Sequence, residues 1–382
     1  MEVLMKIAHI ADLHIGRKFE DLSLIEDQKY ILNQIINIVK EEETDALLIA
    51  GDIYDKISPN TESFDLFDSL LGDLSRLNCT VIMNSGNHDS SERLGLGGRL
   101  FTYHKIHIIT DLLDSLTPIT LEDEFGAINF YTVPFIKPSD VRNAFEEFKG
   151  TSYQEAFHYV IEKMDINLNE RNILTAHQFF INAGQVPELS DSETVSVGGV
   201  DAIDVSIVEM FDYVALGHIH GPQKVKYDTI RYSGSPLKYS FSEINHKKAI
   251  PFITLKEKDN TYLNFIPLKP QREVIEVKGL LEDLLKYEKT NDITKATVTN
   301  EEELYNAMDK LRTVFPSIVS MEIMNTRTQH SEYLVRANEI ITKSHIERFN
   351  DLFQMQNNRE LSDKERAIMN ELILEVNNNE TH

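Results

Sequence analysis

Seven side chains able to bind a metal ion recur where an apolar run gives way to polar residues. They are Asp12 and His14 in Asp-Leu-His, Asp52 after Gly51, Asn87 in Gly-Asn-His-Asp, His177 after Ala176, and His218 and His220 in Gly-His-Ile-His. Carboxylate, amide oxygen and imidazole together suit a borderline divalent ion such as manganese or iron better than calcium. The single cysteine, Cys79, excludes thiolate zinc sites and intrachain disulfides and reads as core filler. Spacing adds detail: two residues apart on an extended chain, Asp12 and His14 share a side and can share one ion. Gly51 allows a tight exit from a strand, and Asp52 offers two oxygens able to bridge two cations. His88, next to Asn87, is a potential proton donor. Taken alone, each motif has a plainer reading. A histidine after a strand is more often capped or in the core, and Asn87-His88-Asp89 could be a tight turn whose residues tolerate unusual dihedrals. Coincidence across five motifs is much harder to explain that way.

The elements that must position these residues alternate short β-branched runs with helical patterns, the signature of an α/β layered fold. Strands are expected at Lys6–Ala11, Asp45–Ala50, Thr80–Met83, Ile128–Val133, Asn172–Ala176 and Tyr213–Leu216. Helical spacing marks Glu26–Glu43, through Ile31, Ile35, Ile38 and Val39, and also Tyr153–Met164. Loops that follow parallel strands converge at one edge of a sheet, so the motifs can meet there. Prolines at 267 and 270 mark a boundary between a body over 1–270 and a small α+β domain over 271–335. Within the small domain the expected order is strand, helix Leu280–Tyr287, strand Thr294–Val298, helix Glu301–Val314 and strand Ile318–Ile323. Apolar faces at Lys343–Gln356, and after the capping pair Ser362 and Glu365, predict a helical hairpin over 340–376 ahead of a polar tail at 377–382. From pattern alone the hairpin packs on its own core.

At 382 residues with a formal net charge of -24, the chain is large enough for a substantial core but acidic. Acidity argues against nucleic-acid binding by this chain alone, because such binding displaces counterions with basic surface. Bound cations or a basic partner would remove the objection. No apolar run approaches the roughly 20 residues that span a bilayer, and the N-terminus lacks a signal sequence, so the expected location is the cytoplasm.

In order and spacing, Asp12-x-His14, Gly51-Asp52-x-x-Asp55, Gly86-Asn87-His88-Asp89, His177 and Gly217-His218-x-His220 resemble the signature of the calcineurin-like metallophosphoesterases. The resemblance implies a four-layer αββα sandwich and two ions bridged by Asp52. One would be held by Asp12, His14, Asp52 and His220, the other by Asp52, Asn87, His177 and His218. It further implies that His88 gives a proton to the leaving oxygen or stabilises charge on the phosphate, and that the Asp55 carboxylate pairs with it. Asp-Leu-His-Ile-Gly, Gly-Asn-His-Asp-Ser and Tyr232-Ser233-Gly234-Ser235-Pro236 are similar to the branch of DNA nucleases that work with a coiled-coil ATPase. That branch implies manganese, duplex exonuclease and single-strand or hairpin endonuclease activity, and a small domain that faces DNA. It also implies terminal helices docked on the ATPase and a homodimer within a heterotetramer that associates with the nucleoid. ATP use would belong to the partner, since no Gly-rich Lys-Ser or Lys-Thr loop occurs here. Competing readings are a small-molecule phosphodiesterase or phosphoprotein phosphatase on the same scaffold, and a non-catalytic adaptor. Arg17, Lys56 and Arg93 lie near the motifs, where exposed basic residues are usually just solvated.

Overall fold

The structure is a computed structural model that describes residues 4–193 and 200–325, with Asn350, Phe353, Leu361, Ser362, Arg366 and Met369. The hairpin expected over 340–376 lies outside the described residues apart from those six positions, and the polar tail lies outside them entirely.

Two six-stranded sheets face one another. The first runs, in spatial order, Thr261–Pro267, Ala249–Leu255, Met5–Ile10, Ala46–Ala50, Thr80–Asn84, Ile106–Ile109; the second runs Gln223–Lys224, Ile230–Tyr232, Tyr213–Gly217, Arg171–His177, Gly126–Val133, Ile119–Asp123. Their central strands are parallel. The continuous apolar runs follow from burial on both faces. Ala46 and Leu48 point into the layer between the sheets with Ile128, Phe130, Ile173 and Tyr213, whereas Leu47 and Ile49 point outward to helices. Helices Ile25–Glu41 and Thr61–Leu74 cover the outer face of the first sheet. Helices Pro138–Ala144 and Tyr153–Lys163 cover that of the second. Three apolar layers between four structural layers make the αββα sandwich. Cys79 is buried in the first of them, and burial pushes its thiol up to about 12.

Beyond Pro270 lies a three-stranded parallel sheet, Val274–Gly279, Ile293–Val298 and Ile318–Ile323, with its own apolar core around Leu284, Leu311 and Phe315. Arg272 pairs with Asp27 of helix Ile25–Glu41, and Lys238 with Glu273, so ion pairs tie this unit to the body. Both helices expected here are shorter than the spacing predicts: Leu281–Leu284 is a single turn, and the second begins only at Ala307. Asn306 holds a left-handed φ of 53°, which cannot continue a right-handed helix backward toward Glu301.

Candidate metal centre

Parallel strands Met5–Ile10, Ala46–Ala50 and Thr80–Asn84 end beside Arg171–His177 and Tyr213–Gly217, and the seven side chains come together from the loops that follow and, for His177, from the end of its strand. Strand Met5–Ile10 stops before Asp12, and Asp12 and His14 have φ of 54° and 43°. Their convergence therefore comes from a left-handed loop rather than from the pleat of an extended strand. Asp52 and His218 are also left-handed, with φ of 49° and 101°. Such dihedrals cost of order 1–3 kcal/mol each in ordinary residues and persist only when the surroundings enforce them. Enforcement is visible. Gln28, buried on helix Ile25–Glu41, donates to the carbonyls of Leu13 and His14 and accepts from Gly16, while the Tyr239 hydroxyl donates to Leu13 O at 2.6 Å. The Asp89 carboxylate accepts from the amides of Ile53, Tyr54 and Gly86, lashing two motif loops together. Glycine is required at the closest approaches: a Cβ on Gly217 would lie 1.8 Å from Ala50 O, and one on Gly86 2.1 Å from Asp52 Oδ1.

The donor atoms face one another at the separations a shared cation needs. His14 Nε2 is 3.0 Å from His220 Nε2 and 3.5 Å from Asp52 Oδ2. His177 Nε2 is 3.4 Å from the same Asp52 oxygen and 3.0 Å from Asn87 Oδ1, to which His218 Nδ1 also comes within 3.0 Å. Asp12, His14 and His220 form one such group, and Asp12, Asp52 and His177 another. Metal–ligand bonds of about 2.1 Å place adjacent donors about 3 Å apart. Asp52 stands between the two halves: Oδ1 accepts from the His88 amide, and Oδ2 faces both His14 and His177. The His177 Nδ1–H donates to Ala50 O at 2.8 Å, which aims the lone pair of Nε2 at the Asn87 oxygen. Lone pairs do not meet at 3.0 Å without a proton or cation between them, so the residues fit a pair of divalent ions. Asp12 Oδ2, buried and without a hydrogen-bond partner, fits the same requirement.

The family model of calcineurin-like phosphoesterases matches residues 5–222. This chain belongs to the calcineurin-like phosphoesterases. The SbcD component of the nuclease SbcCD from Staphylococcus epidermidis is 36% identical over 336 residues, covering 86% of this chain and 87% of that protein. Among solved structures, a dimetal phosphatase from Danio rerio aligns with 70% of this chain and 97% of its own at 12% identity and a TM-score of 0.43. An archaeal phosphodiesterase aligns with 69% and 100% at 15% identity and a TM-score of 0.30. As a member of this family the chain is a metal-dependent hydrolase of phosphoester bonds. No helix among the described residues is long and apolar enough to cross a membrane.

Electrostatics in this phosphoesterase favour neutral imidazoles around a positive centre. Burial pushes His14 well down and His218 to about 3, and lowers His220, so these rings hold no proton against a metal. Burial also raises Asp12, with the charge of Asp52 nearby adding to the effect. His177 goes the other way, to about 9, because the carboxylates of Asp52 and Asp12 outweigh its burial. The pocket thus calls for positive charge between Asp12 and Asp52.

His88 faces a cleft of about 650 Å³ lined also by Arg17, Lys18, Asp55 and Lys56. Its Nδ1 donates to the main-chain carbonyl of Asp55 at 2.9 Å. The Asp55 carboxylate is 3.3 Å from Arg17 Nη1 and 3.9 Å from His14 Nδ1, and with His14 and His88 it forms a group whose donor atoms lie within 4.8 Å of one another. The hydrogen bond to His88 itself comes from the Asp55 main chain. Arg93 donates to Ile57 O on the loop that follows.

Sequence reasoning passes over Gln28, Tyr239, Ser192, Glu193, Glu243 and Lys248, all of which touch ligand-bearing segments. Gln28, polar in line with the apolar Ile31, Leu32 and Ile35 of its helix, is the one readable signal.

Proposed function

We propose that this phosphoesterase is the nuclease component of an SbcCD-type complex, hydrolysing phosphodiester bonds of DNA with two manganese ions. The observation that carries the reading is the 36% identity to the SbcD component of the staphylococcal nuclease over 336 residues, a span that must extend well past the family core ending at residue 222. Its activities are 3′–5′ exonuclease on duplex DNA and endonuclease on single strands and hairpins, serving repair, recombination and replication.

Asp12, His14, Asp52 and His220 hold one ion, and Asp52, Asn87, His177 and His218 the other. When bound, the ions supply Lewis acidity, polarising the phosphate and activating water. The protein does the rest. With Nδ1–H donating to the Asp55 carbonyl, His88 turns Nε2 to the cleft, and in its doubly protonated form it gives the Nε2 proton to the departing sugar oxygen and keeps the Nδ1 proton. Arg17, Lys18 and Lys56 in the adjoining cleft give the nucleic-acid backbone cations to lie against.

An SbcC-type ATPase docks its coiled coil on 340–376, the unit at 271–335 faces DNA, and two copies pair within a heterotetramer in the cytoplasm, on the nucleoid when DNA is bound. A net charge of -24 supports assembly with a more basic partner. The test is incubation with manganese and labelled linear duplex, single-stranded DNA or a nitrophenyl phosphodiester, with and without the ATPase. Cutting of DNA supports the proposal; cutting of the small ester alone refutes it in favour of a small-molecule phosphodiesterase.

A further inference from the structure

The two halves of the centre are held from behind by different kinds of group. Behind His177 stands the carbonyl of Ala50, a main-chain atom at the end of a central strand. Behind His220 stands a side chain, Ser192 Oγ, 2.6 Å from Nδ1, on the long connection between strands Phe180–Ile181 and Ile203–Asp204.

A hydroxyl can donate or accept, so Ser192 alone does not orient the imidazole. Glu243 removes the ambiguity. Its Oε1 lies 2.6 Å from Ser192 Oγ and, as a carboxylate, takes the hydroxyl proton. Ser192 Oγ must then accept from His220 Nδ1–H, which leaves the lone pair of His220 Nε2 turned toward His14 and the centre. Glu243 is fully buried, and Lys248, also buried, meets its charge at 2.7 Å. The remaining bonds of Lys248 run to Ser235 Oγ and to the carbonyl of His220 itself. The connection is anchored at the same place: Glu193 Oε1 accepts from the His220 amide at 2.6 Å, and Arg17 donates to Ser192 O at 2.7 Å. A buried ion pair contributes little net stability, and here both of its members end on one imidazole-bearing residue.

We infer that Ser192, Glu243 and Lys248 are positioning residues for the His220 half of the centre. They set its metal affinity independently of the His177 half. The inference rests on the two-ion reading above. Partners behind ligating histidines typically change affinity about 10–100-fold when removed.

The test is calorimetric titration of manganese into the metal-free full-length protein, with thermal unfolding in chelator as a check on folding. Wild type is expected to bind two ions per chain. In Ser192→Ala one binding event weakens about 10–100-fold and the other is unchanged, and Ser192→Thr, which keeps the hydroxyl, restores it. Glu243→Gln weakens the same event. Because it strands Lys248, the paired variant Glu243→Gln with Lys248→Met is measured beside it and is expected to behave alike. An unchanged isotherm in folded Ser192→Ala, or equal weakening of both events, overturns the inference while leaving the proposed function standing. Failure of wild type to bind two ions overturns the two-ion reading itself.

Discussion

The two-sheet body and the three-stranded unit beyond Pro270 are made from the same alternation of strands and helices, yet they distribute polar groups and backbone strain differently. In the body, four candidate ligands hold left-handed dihedrals, and carboxylates and imidazoles are fully buried a few ångströms apart. In the small unit, the one left-handed non-glycine residue among those described is Asn306, which starts a helix, and the core is apolar. Of the nine left-handed non-glycine residues described in the body, four are candidate ligands, and there cations can compensate the buried charge.

Four measurements would sharpen or break that contrast. The largest effect is expected from Asp52→Asn, which removes the oxygen shared by both halves: metal analysis should find neither ion retained and phosphodiester hydrolysis at background. Retention of both would mean that Asp52 is not the bridge. His88→Gln comes next, with two ions still bound and the rate lowered roughly 10²–10⁴-fold; loss of metal along with activity would place His88 among the ligands. In the small unit, Leu311→Ala removes a fully buried side chain and should lower unfolding stability by about 2–5 kcal/mol with metal stoichiometry unchanged. A matching loss of metal would show the two regions to be coupled.

The smallest effect is a pH dependence. Burial alone would raise the Glu243 carboxyl, but Lys248 and hydrogen bonds from its neighbours hold it well below its ordinary 4.5. A depressed carboxyl contributes stability above its unfolded value, and that contribution is lost as pH falls below about 4.5. Metal-free wild type should thus lose stability on acidification in that range more steeply than Glu243→Gln, as read by chemical denaturation. Parallel curves would remove Glu243 from the account.

Much of this is legible in the sequence because ligand-bearing motifs sit at the ends of apolar strands, where period and polarity change together. The central strands and the helices Ile25–Glu41 and Tyr153–Lys163 come within two residues of where periodicity places them. Strand Ala249–Leu255, which pairs antiparallel with Met5–Ile10, and strand Thr261–Pro267, which pairs antiparallel with Ala249–Leu255 at the edge of that sheet, escape that reading. Pro251 interrupts the first, and the second is half exposed, so neither reads as a buried run. Ser192, Glu243 and Lys248 are illegible for another reason. Serine, glutamate and lysine are ordinary surface residues, and only the tertiary fold reveals that these three are buried against the candidate ligand His220. The contact of Asp55 with Arg17 is illegible too, because spacing along the chain fixes where a residue sits and not which partners its carboxylate meets.

The left-handed candidate ligands also have a kinetic meaning. Asp12 receives a hydrogen bond from the amide of His218, 206 residues away, and both occupy dihedral wells that an unfolded chain rarely visits. Such a contact requires both sheets to have docked. Cations that bind only the finished centre are therefore expected to slow unfolding more than they speed folding, an expectation that folding and unfolding rates measured with and without manganese check.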